Sequence, residues 1–376
     1  MKTRYAFNLT AQNRAAVNWI PLGAFLTLVL LLSLAAGCAS APKPPPRKPV
    51  FFPGAPDPPR LQFLTSFNSE KDVTGGGSHF AEFITGQQPT DYTLGKPYGI
   101  ALHEDKFYVC DSAIHTIVIL DLARGKVGPL QVPEEGALAE PLNITIDREG
   151  VRYITDDVLN QVICLDGQGK FKWILGKKGE MKPRDVAVSK DRIYVADIQH
   201  HCVHVYEKAT RQPLLTIPVE KDETNVNALL ALPTNLALDA KGWLYACDSF
   251  AGRVQVYDES GNYVRSLGTL GDDPQSGMLK RPKGVAVDRD GIVYVVDAAY
   301  QLVQMFDRNG QYLMWFGYPG DTPAALTLPA KVIVDYDHVR LFEKYAAPDF
   351  KLDHLVIVTS QFGKRKVSVY GFGHQK

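Results

Sequence analysis

The stretch PKGVAVDRDGIVYVVD occupies residues 282–297. It runs from a proline through a short apolar run, a turn and a second apolar run to an aspartate. The same phrase is written as PLNITIDREGVRYITD at 141–156 and as PTNLALDAKGWLYACD at 233–248. Six segments open this way, at Pro97, Pro141, Pro183, Pro233, Pro282 and Pro329, with spacings of 44, 42, 50, 49 and 47 residues. In the fifth segment GVAVD, IVYVVD, LVQMFD and YLMWFG read as four short strands, separated in part by the turns RDG and RNG. Proline is tolerated at the first residue of a strand, where no ladder donor is needed. Gly291 and Gly310 are expected to supply the positive φ that tight hairpins require. The strands are almost continuously apolar, as expected of sheets packed on both faces. A period of this length with four strands per unit is the signature of a β-propeller.

A Tyr-x-x-Asp column recurs through the units: Tyr108 and Asp111, Tyr153 and Asp156, Tyr194 and Asp197, Tyr245 and Asp248, Tyr294 and Asp297. An aspartate at a strand end caps a turn by accepting from nearby backbone N–H groups. Five such residues are read as structural, not as five catalytic acids.

The pattern resembles the NHL repeat. RVQVYD (253–258) and LVQMFD (302–307) match its third strand, and His115 and His201 stand where that repeat often carries histidine. The resemblance covers about residues 95–376. It implies an all-β, six-bladed β-propeller, NHL- or TolB-like, with four-stranded antiparallel blades. The sixth unit lacks the aspartate, carries an insertion at 336–354 and ends at KVSVYGFG with no fourth strand after it. RLQFLTSF (60–67) resembles a fourth strand without a unit of its own. It is expected to complete the last blade, which would remove an exposed edge.

The chain of 376 residues has 41 basic and 41 acidic side chains. That balance argues against a general nucleic-acid binder. Lys2, Arg4 and Arg14 precede the apolar run WIPLGAFLTLVLLLSLAAGC (19–38), and no acidic residue occurs before Asp57. Such an arrangement is an export signal. Its end, LAAGC, resembles a bacterial lipobox, although Ala35 stands where a large aliphatic is usual and Leu34 lies one place further out. The resemblance implies lipidation of Cys38; an uncleaved anchor and ordinary cleavage stay open. Ala39 after that cysteine favours the outer membrane in a Gram-negative host. Residues 39–60 hold nine prolines in 22 positions. They read as an extended spacer reaching roughly 70 Å at most. The expected organisation is a signal peptide at 1–37, a lipidated cysteine and stalk at 38–60, and a propeller at 61–376. The expected address is extracytoplasmic and lipid-anchored.

Cys110, Cys164, Cys202 and Cys247 fall one in each of the first four units. An even count in an exported chain suggests disulfides. The repeat register argues against them, because Cys110 and Cys247 belong to opposite blades and Cys164 and Cys202 face opposite ways. Four free thiols are expected. QHHCVHV (199–205) places Cys202 and His204 on one strand face beside the loop residues His200 and His201. His200, Cys202 and His204 are zinc-ligand candidates, since zinc needs three or four converging donors. The alternative is a simple repeat variant, with His204 standing where Gln255 and Gln304 stand.

In a propeller the first strand of each blade lines the axial tunnel. The residue two after each proline reads Gly99, Asn143, Asp185, Asn235, Gly284 and Lys331, and the preceding column includes Tyr98, Arg184 and Lys283. Tyr98, Asn143, Asp185, Asn235, Lys283 and Lys331 are therefore candidates for ligand binding at the tunnel mouth. Asn143, Asp185 and Asn235 could offer oxygen ligands to calcium, or the column could answer a backbone demand for positive φ. Two functions stand open. One is an envelope scaffold that binds a protein partner, sits on a membrane through its lipid and needs no cofactor. The other is a metal-dependent propeller enzyme, lactonase- or lyase-like, using calcium or zinc at the tunnel mouth.

Overall fold

Each proline-led segment folds as one antiparallel blade, and six blades form a ring. The structure, a computed structural model, describes residues 48–74, 92–219 and 228–376. Cys38 and the export signal lie outside the described residues. No helix among the described residues is long and apolar enough to cross a membrane.

Blade three shows the plan. Its strands Pro183–Val188, Arg192–Asp197, Cys202–Glu207 and Pro213–Ile217 pair in that order from the axis outward. The first strands of neighbouring blades pack side by side around the axis, and that of blade six returns to that of blade one. We call the end at which each first strand begins the proline face. The second strands end there too, because the pairs are antiparallel. Gly291 (φ 82°) and Gly310 (φ 93°) sit in the expected left-handed turns.

The core is divided among the blade interfaces, with a small further cluster of Tyr98, Leu142 and Ala330. One buried apolar cluster lies at each interface between neighbouring blades. Both faces of each sheet are thus covered, which explains why the strands read as continuous apolar runs.

The Tyr-x-x-Asp column is structural. Asp297 accepts from the backbone N–H groups of Lys280, at 2.7 Å, and Ala299, at 2.9 Å. Asp111 does the same for Gly95 and Lys96. Each aspartate therefore ties the segment before its own proline to the end of the second strand. In blades two, four and five the tyrosine is tied to a second aspartate in the hairpin below: Tyr153 donates to Asp147 Oδ2 at 3.1 Å, Tyr245 to Asp239 Oδ2 at 3.5 Å and Tyr294 to Asp288 Oδ2 at 3.2 Å. In blade six Ser360 stands opposite Pro329, where the other blades carry the aspartate.

Blade six closes the ring with strands from both ends of the chain. Pro329–Asp335, Phe350–Ser360 and Val367–Gln375 are followed outward by Leu61–Phe67. Composition placed residues up to 60 in a stalk, and the structure corrects this boundary. Val50–Phe52 adds a fifth strand against Leu61–Phe63. Phe52 supplies the reason, since it is buried against Phe316, Tyr318 and Tyr370. Two adjacent phenylalanines gain more by packing than by remaining in a solvated spacer.

The insertion at 336–354 folds over the closing blade at the face opposite the prolines. Phe342 is buried and meets Phe67 and Phe107 edge-on or tilted, with centroids 6.4 and 6.3 Å away. Gln62 spans the insertion, donating to the Tyr345 carbonyl and accepting from Ala347 N–H. The segment is a seal over the N-terminal strand. Its buried anchor makes it part of the ring's closure and not a free contact loop.

Candidate functional site at the proline face

The inner column is not at a mouth. Asn143, Asp185 and Asn235 are fully buried and Lys331 nearly so. The proposed need for positive φ is also not the reason for their residue types, because none of them has a positive φ. Two other demands select them. A register irregularity follows the proline in every first strand, which leaves backbone groups of the strand without ladder partners. The neighbouring blade supplies those partners. Asn143 Nδ2 donates to the Arg184 carbonyl at 2.8 Å, Asp185 Oδ2 accepts from Leu236 N–H at 2.8 Å, and Asn235 Oδ1 accepts from Val285 N–H at 2.9 Å. Each side chain staples its blade to the next. Crowding accounts for the glycines: a Cβ on Gly99 would lie 2.5 Å from Asn143 Cα.

Lys331 completes this layer. It reaches from blade six across the axis to Asp185 in blade three, Nζ to Oδ2 at 2.8 Å. Asn235 Nδ2 donates to the same oxygen at 2.5 Å. An ammonium ion already neutralises the carboxylate that calcium would have used. Asp185, Asn235 and Lys331 therefore act as a plug. Beyond the plug, away from the proline face, lies a cavity of about 310 Å³ lined by first strands of all six blades.

Tyr98 and Lys283 do come together, with Arg184, on the proline side of the plug. Lys283 Nζ lies 5.5 Å from the Tyr98 ring centroid and donates to Gln361 Oε1 at 3.2 Å. Burial, then the cations of Arg281, Arg184 and Lys96, lower the Lys283 pKa to about 8. Burial raises the Tyr98 phenol to about 12, against the opposing pull of Arg184. Arg184 is held by Asp157 at 2.6 Å. The axial mouth is thus cationic and half-buried.

Around it stands a ring of apolar tips that sequence reading missed. The hairpins joining second and third strands present Ile114, Val158, Phe250 and Phe362, exposed by 42, 55, 77 and 50%. Leu270, in the segment leading to Pro282, is 61% exposed. The signal was available: these tips follow the strand-end aspartate, or Ser360, by two or three residues, where a solvated turn would carry polar side chains.

The histidine and cysteine cluster gathers at blade three of the same face. His200 Nδ1 and His204 Nε2 lie 2.6 and 3.0 Å from Asp197 Oδ2, and Cys202 Sγ lies 3.6 Å from His204 Nε2. Burial works to raise the Asp197 pKa; the bonds from His204, Lys182 N–H, His200 and Gln199 N–H win and hold it well below the usual carboxylate range. His201 turns away and bonds the Ala231 carbonyl from a left-handed backbone, φ 54°. His115, Asn160 and Gln301 share that backbone at equivalent positions. Cys110, Cys164, Cys202 and Cys247 are buried and form no disulfide, as the repeat register required.

Comparison with known proteins fits the ring. The NHL repeat model matches residues 181–206, the segment that contains most of blade three. No curated protein matches the chain. A gluconolactonase from Xanthomonas campestris superposes with a TM-score of 0.54 at 15% identity, over 88% of this chain and 100% of that one. A protein of unknown function from Bacteroides thetaiotaomicron gives 0.53 at 14% identity, over 74 and 70%. An inactive virginiamycin B lyase from Staphylococcus aureus, crystallised with quinupristin, gives 0.50 at 15% identity, over 74 and 96%. At such identities the likeness is one of fold.

Proposed function

We propose that this chain is an extracytoplasmic, lipid-anchored scaffold whose propeller docks a protein through its proline face. The observation that supports it is the ring of exposed apolar tips, Ile114, Val158, Phe250 and Phe362, around a cationic mouth. Large apolar side chains grouped in exposed positions on one face of a folded chain are surface that a partner can cover. Cations at its centre favour a partner that brings acidic groups. The address rests on the export signal and Cys38; Ala39 points to the outer membrane in a Gram-negative host.

The experiment is gentle detergent extraction of the full chain with a photo-crosslinker at Phe250, and mass spectrometry of the adducts. Leu313, exposed on an outer strand of blade five, is the control position. An envelope protein captured stoichiometrically from Phe250 and not from Leu313, and lost when the double substitution Val158→Ser, Phe362→Ser is added, is the expected result. No stoichiometric adduct, or an adduct indifferent to that variant, refutes docking at this face.

A second reading keeps an enzyme, and one observation favours it. Lys283, with a pKa lowered to about 8, is tuned to the range in which lysine serves as a proton acceptor. It stands against Tyr98 at the mouth. The metal-dependent lactonase-like form of this reading has less support, since Lys331 neutralises Asp185.

A further inference from the structure

Blade three departs from its siblings at three positions, and all three departures converge on one carboxylate. In every complete blade the strand-end aspartate caps backbone N–H groups, and Asp197 does so too, accepting from Lys182 and Gln199 through Oδ1. The repeat needs nothing more of it. Blade four carries Ala251, Arg253 and Gln255 where blade three has His200, Cys202 and His204; blade five carries Tyr300, Leu302 and Gln304. Those hairpins form the same turn. The fold therefore does not require a histidine, a cysteine and a second histidine around Oδ2 of Asp197.

We infer that Asp197, Cys202 and His204 form a binding site for a zinc-like transition-metal ion, with His200 beside it on the same carboxylate. The three donor atoms lie within 4.8 Å of one another. Zinc bonds of about 2.0–2.3 Å place tetrahedral ligand atoms about 3.2–3.8 Å apart. The observed separations of 3.0 and 3.6 Å, Asp197 Oδ2 to His204 Nε2 and His204 Nε2 to Cys202 Sγ, are of that size. One carboxylate, one sulfur and imidazole nitrogens are a donor set for zinc or cobalt rather than for calcium.

The outer shell is also in place. His204 Nδ1 lies 3.5 Å from Thr216 Oγ1. On metal binding, a shift of the ring proton to Nδ1, where that hydroxyl can accept it, would free the Nε2 lone pair now engaged with Asp197, which is the tautomer a metal ligand needs. Asp197 is oriented by its two backbone donors through the oxygen that does not face the histidines. The site is also reachable. Asp197 and Cys202 are buried, whereas the His200 and His204 side chains are 48 and 24% exposed. Binding would replace the His–Asp hydrogen bonds by metal bonds and release the Cys202 thiol proton to solvent.

Cobalt(II) reports the geometry directly. The full chain in detergent, stripped with a chelator, is titrated with Co²⁺ and followed by absorption. The expected result is one equivalent bound, with intense visible bands of tetrahedral cobalt and a near-ultraviolet thiolate-to-cobalt band. Cys202→Ser should abolish the thiolate band. His204→Gln, which installs the side chain that blades four and five carry there, should weaken Co²⁺ affinity at least tenfold. As an independent readout, Zn²⁺ should raise the melting temperature of the parent chain and not of His204→Gln. Absence of saturable binding, octahedral cobalt without the thiolate band, or binding unchanged in both variants would overturn the assignment.

Discussion

Lys331 and Asp185 join blades three and six across the axis of the ring, Nζ to Oδ2 at 2.8 Å. The pair is fully buried on the aspartate side and nearly so on the lysine side. Lys331→Met leaves a buried carboxylate with two hydrogen-bond donors and no counter-charge. Its expected cost is about 3–5 kcal/mol. Adding Asp185→Asn should recover part of this, because the charge is gone while the acceptor that holds Leu236 N–H remains. Denaturant unfolding of the two variants checks the order. A single variant as stable as the parent would remove the plug from the account of stability.

Closure of the ring is tested at Phe67. This side chain packs on Phe107 in blade one and Phe342 in the insertion, with centroids 5.8 and 6.4 Å away. Phe67→Ala should cost about 3–5 kcal/mol. Phe342→Ala should cost a similar amount, and the double variant less than the sum, because the rings share one cluster. Strictly additive losses would mean that the insertion and the N-terminal strand are held independently.

Acid should loosen blades five and six through His354. The ring is stacked on Phe372 at 4.7 Å, and burial lowers its pKa to about 4. The unfolded chain binds the proton near pH 6.5, so folded stability is fully present above that pH and is lost as pH falls from 6.5 through 4. At pH 4 the loss is roughly 3 kcal/mol. Burial raises the pKa of neighbouring Asp288, which acts in the opposite sense, so the comparison must be between variants. Thermal melts across that window should fall less steeply for His354→Leu than for the parent. Parallel curves would exonerate His354.

Most of the architecture was legible in the sequence because the repeat encodes it locally. The proline, the turn glycines and the strand-end aspartate each do their work within one unit, so periodicity revealed them. Even the closing strand at 61–67 could be read, since it was a fourth strand with no unit. The inner column was legible as a column but not in its meaning. Asn143, Asp185 and Asn235 bond to the following blade, and Lys331 bonds to the opposite one, which are relations between units that no single period displays. Phe52 and Phe342 were missed for a related reason. Proline-rich composition and an irregular insertion both suggest solvated chain, and only packing against distant blades shows otherwise. The blade-three cluster was visible as spacing, but its convergence on Asp197 required the hairpin's geometry.

The pairing of Leu61–Phe67 with Val367–Phe372 sets an order of events for the newborn chain. Leu61–Phe67 is made before blades one to five and its partner after them, some 300 residues later. Until then the growing ring has two raw edges, and no contact between neighbours can substitute for the missing join. Such a long-range closure is slow and leaves unpaired strands available to other chains. Completion of the ring therefore waits for the strand that pairs with Leu61–Phe67, and a chain halted short of that strand would remain an open arc.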